Sequence, residues 1–263
     1  MRREVVAGTA LIVALCSFVG YASYRIARQY VFATGGSARP LFASTCPAHT
    51  GSTVVPARPV VTFGDSITQG YGATRNCVPP DVRTILPTLV HMVHSRDTSY
   101  PGDLARLMRR PVLSYGLGGE TTTEGLTRLN RLLRAVHPSS VIVLEGTNDL
   151  MAGQGPLSVA YRLLRMTALI RQSGARPILL TVLPLEGPQW TPLAGKVEVL
   201  NELLRAGAKA DHVTVVDSAA AFAVHKPFAA FFRHQDGRED GLHPNDIGYR
   251  VLAVLVYQVL RHT

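Results

Sequence analysis

The sequence is poor in lysine and lacks several motifs that mark common functional classes. The three lysines are Lys196, Lys209 and Lys226, so almost all of the formal net charge of +9 comes from arginine. No run interleaves basic and aromatic residues, as nucleic-acid-binding segments do. No phosphate-cradling glycine loop or nucleotide fingerprint occurs, and His91 and His94 lack the acidic or thiol partners of a metal site. We therefore expect no nucleic-acid partner, no cofactor and no metal.

The arginines are spread along the chain instead of forming a patch. Arg128, Arg131 and Arg134 recur within one helical segment, and we interpret them as a solvated helix face. An attraction of the whole domain to an anionic membrane surface stays open. The charge alone therefore indicates no specific partner.

Cysteine is also scarce, with only Cys16, Cys46 and Cys77 in the chain. In an exported domain, an even pair of cysteines indicates a disulfide, and we predict one between Cys46 and Cys77. Closing that loop would stabilise the fold by about 3 to 4 kcal/mol in the chain-entropy model. Two free thiols are the alternative. Lipidation of Cys16 is disfavoured because Leu15 stands where a small residue is required.

One long stretch without charge lies at the N-terminus, over residues 5–24. Its length suits a membrane-spanning helix, and no Ala-x-Ala cleavage site follows, so we favour an uncleaved anchor over a signal peptide. We predict an anchor over residues 1–28, a Gly-, Ser- and Pro-rich linker over 29–57 and a folded domain over 58–263. The domain is expected outside the cytoplasm, either anchored or secreted after cleavage.

Beyond the linker, apolar strand patterns alternate with amphipathic helix patterns. Strands are predicted at 60–63, 111–117, 140–144, 177–183 and 213–216, and helices at 122–136, 157–172, around 197–204 and at 247–260. Strands separated by helices imply a parallel sheet covered on both faces. The segment 71–99 interrupts this alternation and is either a lid or acyl-group wall, or packing against the sheet edge.

Chemically reactive residues follow three of the predicted strands. Ser66 comes directly after the first strand, Gly119 follows the second in a glycine turn, and Asn148 follows the third. Far downstream, Asp240 and His243 provide an acid and a base three positions apart. Serine, histidine and aspartate are the three groups needed for nucleophilic acyl transfer, and ligands bind at the carboxyl ends of such strands.

With these segments in order, the chain resembles the GDSL/SGNH hydrolase family over residues 58–263. The four blocks of that family carry Ser, Gly, Asn and His, which match Ser66, Gly119, Asn148 and His243, and the acid of the family matches Asp240. The resemblance implies a three-layer α/β/α, flavodoxin-like fold with a central parallel five-stranded sheet. It also implies a serine esterase that works through an acyl-serine intermediate.

Each matched residue acquires an expected role. His243 would be the general base and Asp240 would fix its tautomer, while the amides of Ser66 and Gly119 and the side chain of Asn148 would form the oxyanion hole. The chain departs from the family where Asn is usual near the start of the second block. It also lacks the Gly-x-Ser-x-Gly elbow, because Thr68 occupies the last position, so we expect Ser66 in a less strained turn.

The substrate is left open at this stage. Members of the family act on lipids, thioesters, aryl esters and acetylated sugars, and an anchored domain suits either a lipid or an O-acetylated glycan. Two alternative functions use the same fold. One is an O-acyltransferase with the same site residues, and the other is a glycan- or acyl-binding module without turnover.

Overall fold

The computed structural model describes residues 57–75, 97–224, 228–235 and 238–261. The predicted anchor and linker, Cys46, Cys77 and most of the 71–99 segment lie outside these ranges, so their predictions stay predictions. Within the described part of the chain, no helix combines the length and apolarity needed to cross a membrane.

A parallel sheet forms the centre of the domain. Its strands are β1 (Val60–Gly64), β2 (Val112–Gly116), β3 (Ser140–Leu144), β4 (Arg176–Leu180) and β5 (Thr214–Val216), in the order β2-β1-β3-β4-β5. All four neighbouring pairs are parallel. The predicted five-stranded parallel sheet is therefore confirmed, although β4 ends three residues earlier than expected, at Leu180.

Helices connect the strands. They are α1 (Ser66–Gln69), α2 (Tyr100–Met108), α3 (Thr122–Val136), α4 (Thr147–Met151), α5 (Pro156–Gln172), α6 (Thr191–Ala210), α7 (Ser218–Val224) and α8 (Asp246–Leu260). The bounds of α3 match the prediction, whereas α2, α4 and α7 were not predicted. Short 3-10 turns at Pro188–Trp190 and Phe228–Phe231 precede α6 and the last strands.

The helices cover both faces of the sheet because alternate strand residues point to opposite sides. Val61, Phe63 and Val143 belong to the hydrophobic cluster that includes α3, α5 and α6. Val60 and Ile142 belong to the cluster on the other face, with α2, α7 and α8. The three layers that the sequence predicted are thus present.

The parallel register aligns the carboxyl ends of the three strands that precede the reactive residues. Gly64 at the end of β1 pairs with Gly116 of β2 and with Leu144 of β3. Residues that follow these strands therefore emerge at one edge of the sheet. This alignment puts the segments of Ser66, Gly119 and Asn148 side by side.

The sequence did not predict a separate two-stranded antiparallel sheet near the C-terminus. It pairs β6 (Phe232–Gln235) with β7 (Arg238–Pro244). Asp240 and His243 lie on β7 and not in an isolated turn before the last helix. The acid and the base are therefore held by a hairpin outside the central sheet.

Candidate active site

Ser66 is the first residue of α1, immediately beyond the end of β1. Asp65 caps this helix, because its carboxylate accepts a hydrogen bond from the Ile67 amide at 2.9 Å. Ser66 is not among the described non-glycine residues with positive φ. The serine therefore lies in a helix start without the strained backbone of a nucleophile elbow, as its sequence context predicted.

Ser66, His243 and Asp240 form a continuous chain of hydrogen bonds. Ser66 Oγ lies 3.0 Å from His243 Nε2, and His243 Nδ1 lies 2.9 Å from Asp240 Oδ2. The other carboxylate oxygen of Asp240 accepts the backbone amides of Leu242 and His243, both at 2.8 Å. The structure thus connects residues that are 177 positions apart in the chain into the arrangement of a serine triad.

The environment of Asp240 favours a charged carboxylate. Burial disfavours this charge, but the hydrogen bond and charge interaction with His243 and two backbone amides outweigh burial, so the pKa of Asp240 is lowered. A carboxylate on Nδ1 keeps the proton there and leaves Nε2 free to accept the proton of Ser66.

Three other segments support the acid and the base from outside the hairpin. The Tyr71 ring packs against the His243 ring at a centroid distance of 4.5 Å, and the Tyr249 hydroxyl donates to the Tyr71 carbonyl at 2.7 Å. The Trp190 indole donates to the Asp240 carbonyl at 2.8 Å. These contacts fix the hairpin against α8 and the loop that precedes α6.

The turn that contains Gly119 is hydrogen-bonded to the two short helices that carry the other predicted oxyanion residues, Ser66 and Asn148. Gly119 has φ of +76°, a left-handed conformation that favours glycine. The neighbouring Gly118 amide donates to the Gln69 side chain at 2.9 Å, which ties this turn to α1. Asn148 donates from Nδ2 to the Glu120 carbonyl at 2.9 Å. Since an amide nitrogen carries two protons, Asn148 keeps one N–H available for a ligand.

A second network anchors the Asn148 segment to α3. The Asp149 carboxylate is fully buried and accepts both the amide and the hydroxyl of Thr122, at 2.8 and 2.7 Å. Arg162 donates to the same carboxylate at 3.0 Å. Asp149 is therefore structural, and it holds α4 beside the start of α3.

Sequence reasoning missed several residues that surround the site. Gln69, Tyr71 and Trp190 carry no family motif, although Gln69 lies three positions after Ser66 on the same helix face. Arg128 was interpreted as a solvated residue, and this was wrong. Its guanidinium donates to the carbonyls of Tyr115 and Gly64, whereas Arg131 and Arg134 are exposed as expected.

Structural comparison finds a similar fold in solved hydrolase structures. A lipase/acylhydrolase from Enterococcus faecalis superposes with a TM-score of 0.61 and 24% identity, covering 78% of this chain and 96% of that one. A catalytic mutant of Axe2, an acetylxylan esterase from Geobacillus stearothermophilus, superposes with a TM-score of 0.61 and 17% identity, covering 79% and 95%. At these identities the comparison shows a shared fold.

Sequence comparison finds two shorter matches. An arylesterase from Vibrio mimicus is 27% identical over 123 residues, which are 47% of this chain and 54% of the relative. Esterase TesA from Pseudomonas aeruginosa is 31% identical over 88 residues, or 33% and 44%. The match thus spans about half the length of these relatives. The profile of the GDSL-like lipase/acylhydrolase family matches residues 62–251, so the chain belongs to that family.

Proposed function

We propose that this protein is a serine hydrolase that cleaves carboxylic esters through an acyl-serine intermediate. The observation that carries the proposal is the hydrogen-bonded chain from Ser66 Oγ through His243 to Asp240, with distances of 3.0 and 2.9 Å. Membership in a family of lipases and acylhydrolases supports it further. A serine hydroxyl becomes a nucleophile when an oriented imidazole takes its proton, and we assign this role to the imidazole of His243.

The first step forms the acyl-enzyme. Ser66 Oγ attacks the ester carbon while His243 Nε2 accepts the hydroxyl proton, and Asp240 stabilises the resulting imidazolium. The negative charge on the former carbonyl oxygen would be stabilised by the backbone amides of Ser66 and Gly119 and the Asn148 side chain. When the tetrahedral intermediate collapses, the C–O bond to the leaving group breaks and the alkoxide takes the proton from His243.

The second step reverses these roles with water. His243 takes a proton from a water molecule, the hydroxide attacks the acyl carbon, and a second oxyanion forms in the same place. Collapse returns the proton to Ser66 Oγ and releases the carboxylic acid. The balance of the two steps is one ester and one water converted to an acid and an alcohol.

The substrate class that we propose is a carboxylic ester, either a lipid or other acyl ester or an O-acetyl group. Relatives matched in sequence are named an arylesterase and an esterase, and a structural relative is an acetylxylan esterase. A membrane-anchored domain outside the cytoplasm, as the N-terminal sequence predicts, would meet both lipid esters and O-acetylated glycans.

The Cys46–Cys77 disulfide remains part of this proposal, and equal thiol counts with and without reductant in the denatured exported protein would contradict it.

Labelling with a fluorophosphonate tests the mechanism directly. The probe phosphonylates an activated serine, so mass spectrometry of the full chain is expected to find one adduct on Ser66 that is absent in Ser66→Ala. Pretreatment with a short and a long acyl ester would then rank the two substrate types by how well each slows labelling. Correctly folded protein that acquires no adduct would contradict the proposal and favour a binding module of the same fold.

A matched serine serves as the control. Ser114 is buried, and its hydroxyl donates to the Thr68 carbonyl at 3.2 Å, without a histidine partner in the described contacts. Ser114→Ala is expected to retain the Ser66 adduct. Loss of labelling in both variants would indicate that the probe responds to folding and not to a specific nucleophile.

A further inference from the structure

Arg128 connects three parts of the site from the middle of α3. Its guanidinium donates to the Tyr115 carbonyl at 2.8 Å and to the Gly64 carbonyl at 3.2 Å, and lies 4.0 Å over the Phe63 ring. It also forms a bidentate ion pair with Glu120, with one bond of 2.6 Å. One side chain therefore joins the carboxyl ends of β1 and β2 to the turn that contains Gly119.

Glu120 links Arg128 to Asn148 through hydrogen bonds of its side chain and its backbone. Its carboxylate is bound to Arg128, while its backbone carbonyl accepts the Asn148 side-chain amide at 2.9 Å. Its backbone amide closes the Gly119 turn by donating to the Leu117 carbonyl at 3.1 Å. A displacement of Glu120 would therefore move both the Gly119 turn and the orientation of the Asn148 amide.

A second buried acid lies beside this ion pair, at a longer distance from Arg128 than Glu120. Glu145 follows β3 directly, its side chain has 0% exposure, and neither carboxyl oxygen has a hydrogen-bond partner. Oε1 lies 3.9 Å from Arg128 Nη2, and a Cβ added to Gly125 of α3 would come within 2.5 Å of Oε2. Burial, followed by the negative charge of Glu120, raises its pKa well above the usual value. Arg128 therefore makes its close, bidentate contact with Glu120 and a longer contact with Glu145.

We propose that Arg128 is a positioning residue for the oxyanion hole, acting through Glu120 to hold the Gly119 amide and the Asn148 side chain where the oxyanion forms. The proposal rests on the proposed esterase function. Oxyanion donors work only when they are held in place before the charge develops, and small displacements cost much of their effect. Arg128 is suited to this task because its planar fork fixes several acceptors at once.

The test combines turnover of p-nitrophenyl acetate with inhibition by phenylboronic acid, whose tetrahedral serine adduct resembles the oxyanion intermediate. In the full chain, Arg128→Met is expected to lower kcat by roughly 10- to 100-fold with KM changed less than about twofold, since transition-state contacts are affected. The inhibition constant of the boronic acid should rise by a similar factor. Arg128→Lys should restore part of the turnover and part of the boronate inhibition, because lysine retains the positive charge but lacks the planar guanidinium.

Two further variants separate positioning from a general loss of stability. Arg205 forms a bidentate ion pair at 2.8 and 2.9 Å with Asp217, which follows β5 at the edge of the sheet opposite to β2, so Arg205→Met removes an arginine–carboxylate pair elsewhere in the fold and should change neither kcat nor inhibition. Asn148→Ala removes one proposed donor directly and should weaken turnover and boronate inhibition in parallel. If Arg128→Met does not fold, Glu120→Gln keeps the carbonyl and tests the same connection.

The outcomes distinguish this inference from the function on which it rests. Turnover that survives Ser66→Ala would overturn the esterase mechanism and the role of Arg128 together. Turnover lost in Ser66→Ala but unchanged in folded Arg128→Met would overturn the positioning role alone. The same holds if boronate inhibition weakens no more in Arg128→Met than in Arg205→Met.

Discussion

The two halves of the candidate site are held by different kinds of structure. Ser66, Gly119 and Asn148 follow three adjacent strands of the central sheet, where the parallel ladder and two buried hydrophobic layers fix their positions. Asp240 and His243 lie on a two-stranded sheet outside the central sheet, in which Phe232 joins one hydrophobic cluster and β7 is held by contacts such as the hydrogen bond from Trp190. The nucleophile and oxyanion half is therefore positioned by the central sheet, whereas the acid–base half is positioned by a hairpin and its contacts with neighbouring segments.

His243→Ala should lower turnover most, because it removes the proposed general base, which lies on the hairpin. Without a proton acceptor the Ser66 hydroxyl remains un-ionised, so kcat for p-nitrophenyl acetate is expected to fall by about 10⁶-fold, as for triad histidines elsewhere. The core should stay folded, which circular dichroism would check. His212→Asn changes an exposed histidine and should leave kcat unchanged. A smaller drop, within about tenfold, would contradict the role of His243.

Asp240→Asn should have the next largest effect. The amide cannot accept the Nδ1 proton as a carboxylate does, which favours the wrong tautomer, so kcat should fall by about 10⁴-fold. A circular dichroism spectrum that matches the wild type would exclude misfolding as the cause. An unchanged kcat would show that Asp240 does not orient His243.

Asp65→Asn tests the nucleophile and oxyanion half of the site through the free energy of unfolding of the protein. Burial raises the pKa of Asp65 to about 7, opposed by the Ile67 amide and reinforced by Glu120 and Asp149. The folded state thus binds the Asp65 proton more tightly than the unfolded chain does. The protonated carboxyl therefore stabilises the fold fully below the unfolded pKa, and this stabilisation is lost as the pH rises to about 7. The loss is about 4 kcal/mol for a shift of that size.

Urea unfolding at pH 5 and pH 8 would measure this contribution. The wild-type protein should lose stability between the two values, and Asp65→Asn should lose less, because asparagine caps a helix without a charge. The raised pKa of Glu145 acts in the same direction and leaves a residual slope. Asp217→Asn is the control, because hydrogen bonds from Arg205 lower the pKa of Asp217, so its stabilisation changes only below this pH range and the slope between pH 5 and pH 8 should match the wild type. Equal slopes in wild type and Asp65→Asn would contradict the buried-charge explanation.

The same contrast explains which parts of the site could be predicted from the sequence. Ser66, Gly119 and Asn148 follow apolar runs whose length and content indicate buried strands, and parallel strands bring such ends together. The β7 segment, Arg238–Pro244, contains two acids, an arginine, a glycine and a proline, and shows no apolar alternation. Its pairing depends on contacts with distant segments, which a local pattern does not contain.

Arg128 shows why the supporting residues could not be predicted. The helical period of α3 puts Leu129 and Leu132 on the buried face and Arg128 beside it, where an arginine is usually solvated. Its length lets the guanidinium reach back to carbonyls at the ends of β1 and β2. Whether acceptors lie within that reach depends on the packing of the helix on the sheet, which the periodicity does not specify.

Trp190→Phe should give the smallest effect of these substitutions, because it changes one hydrogen bond to the hairpin. Trp190 is the one tryptophan of the chain, and its indole donates to the Asp240 carbonyl at 2.8 Å. Phenylalanine retains an aromatic ring but lacks the donor, so the hairpin should lose about 1 kcal/mol of support, which corresponds to roughly fivefold in kcat/KM if it all affects Asp240.

Gln189 provides a matched control for that change, because its side chain contacts the same carbonyl at 3.4 Å from an exposed position. A bond that long contributes little, so Gln189→Ala should leave kcat/KM unchanged. If Trp190→Phe lowers the free energy of unfolding but not kcat/KM, the indole stabilises the loop without orienting the acid. A loss of kcat/KM without a loss of stability would instead show that a single hydrogen bond, donated by a side chain outside the hairpin, sets the position of Asp240.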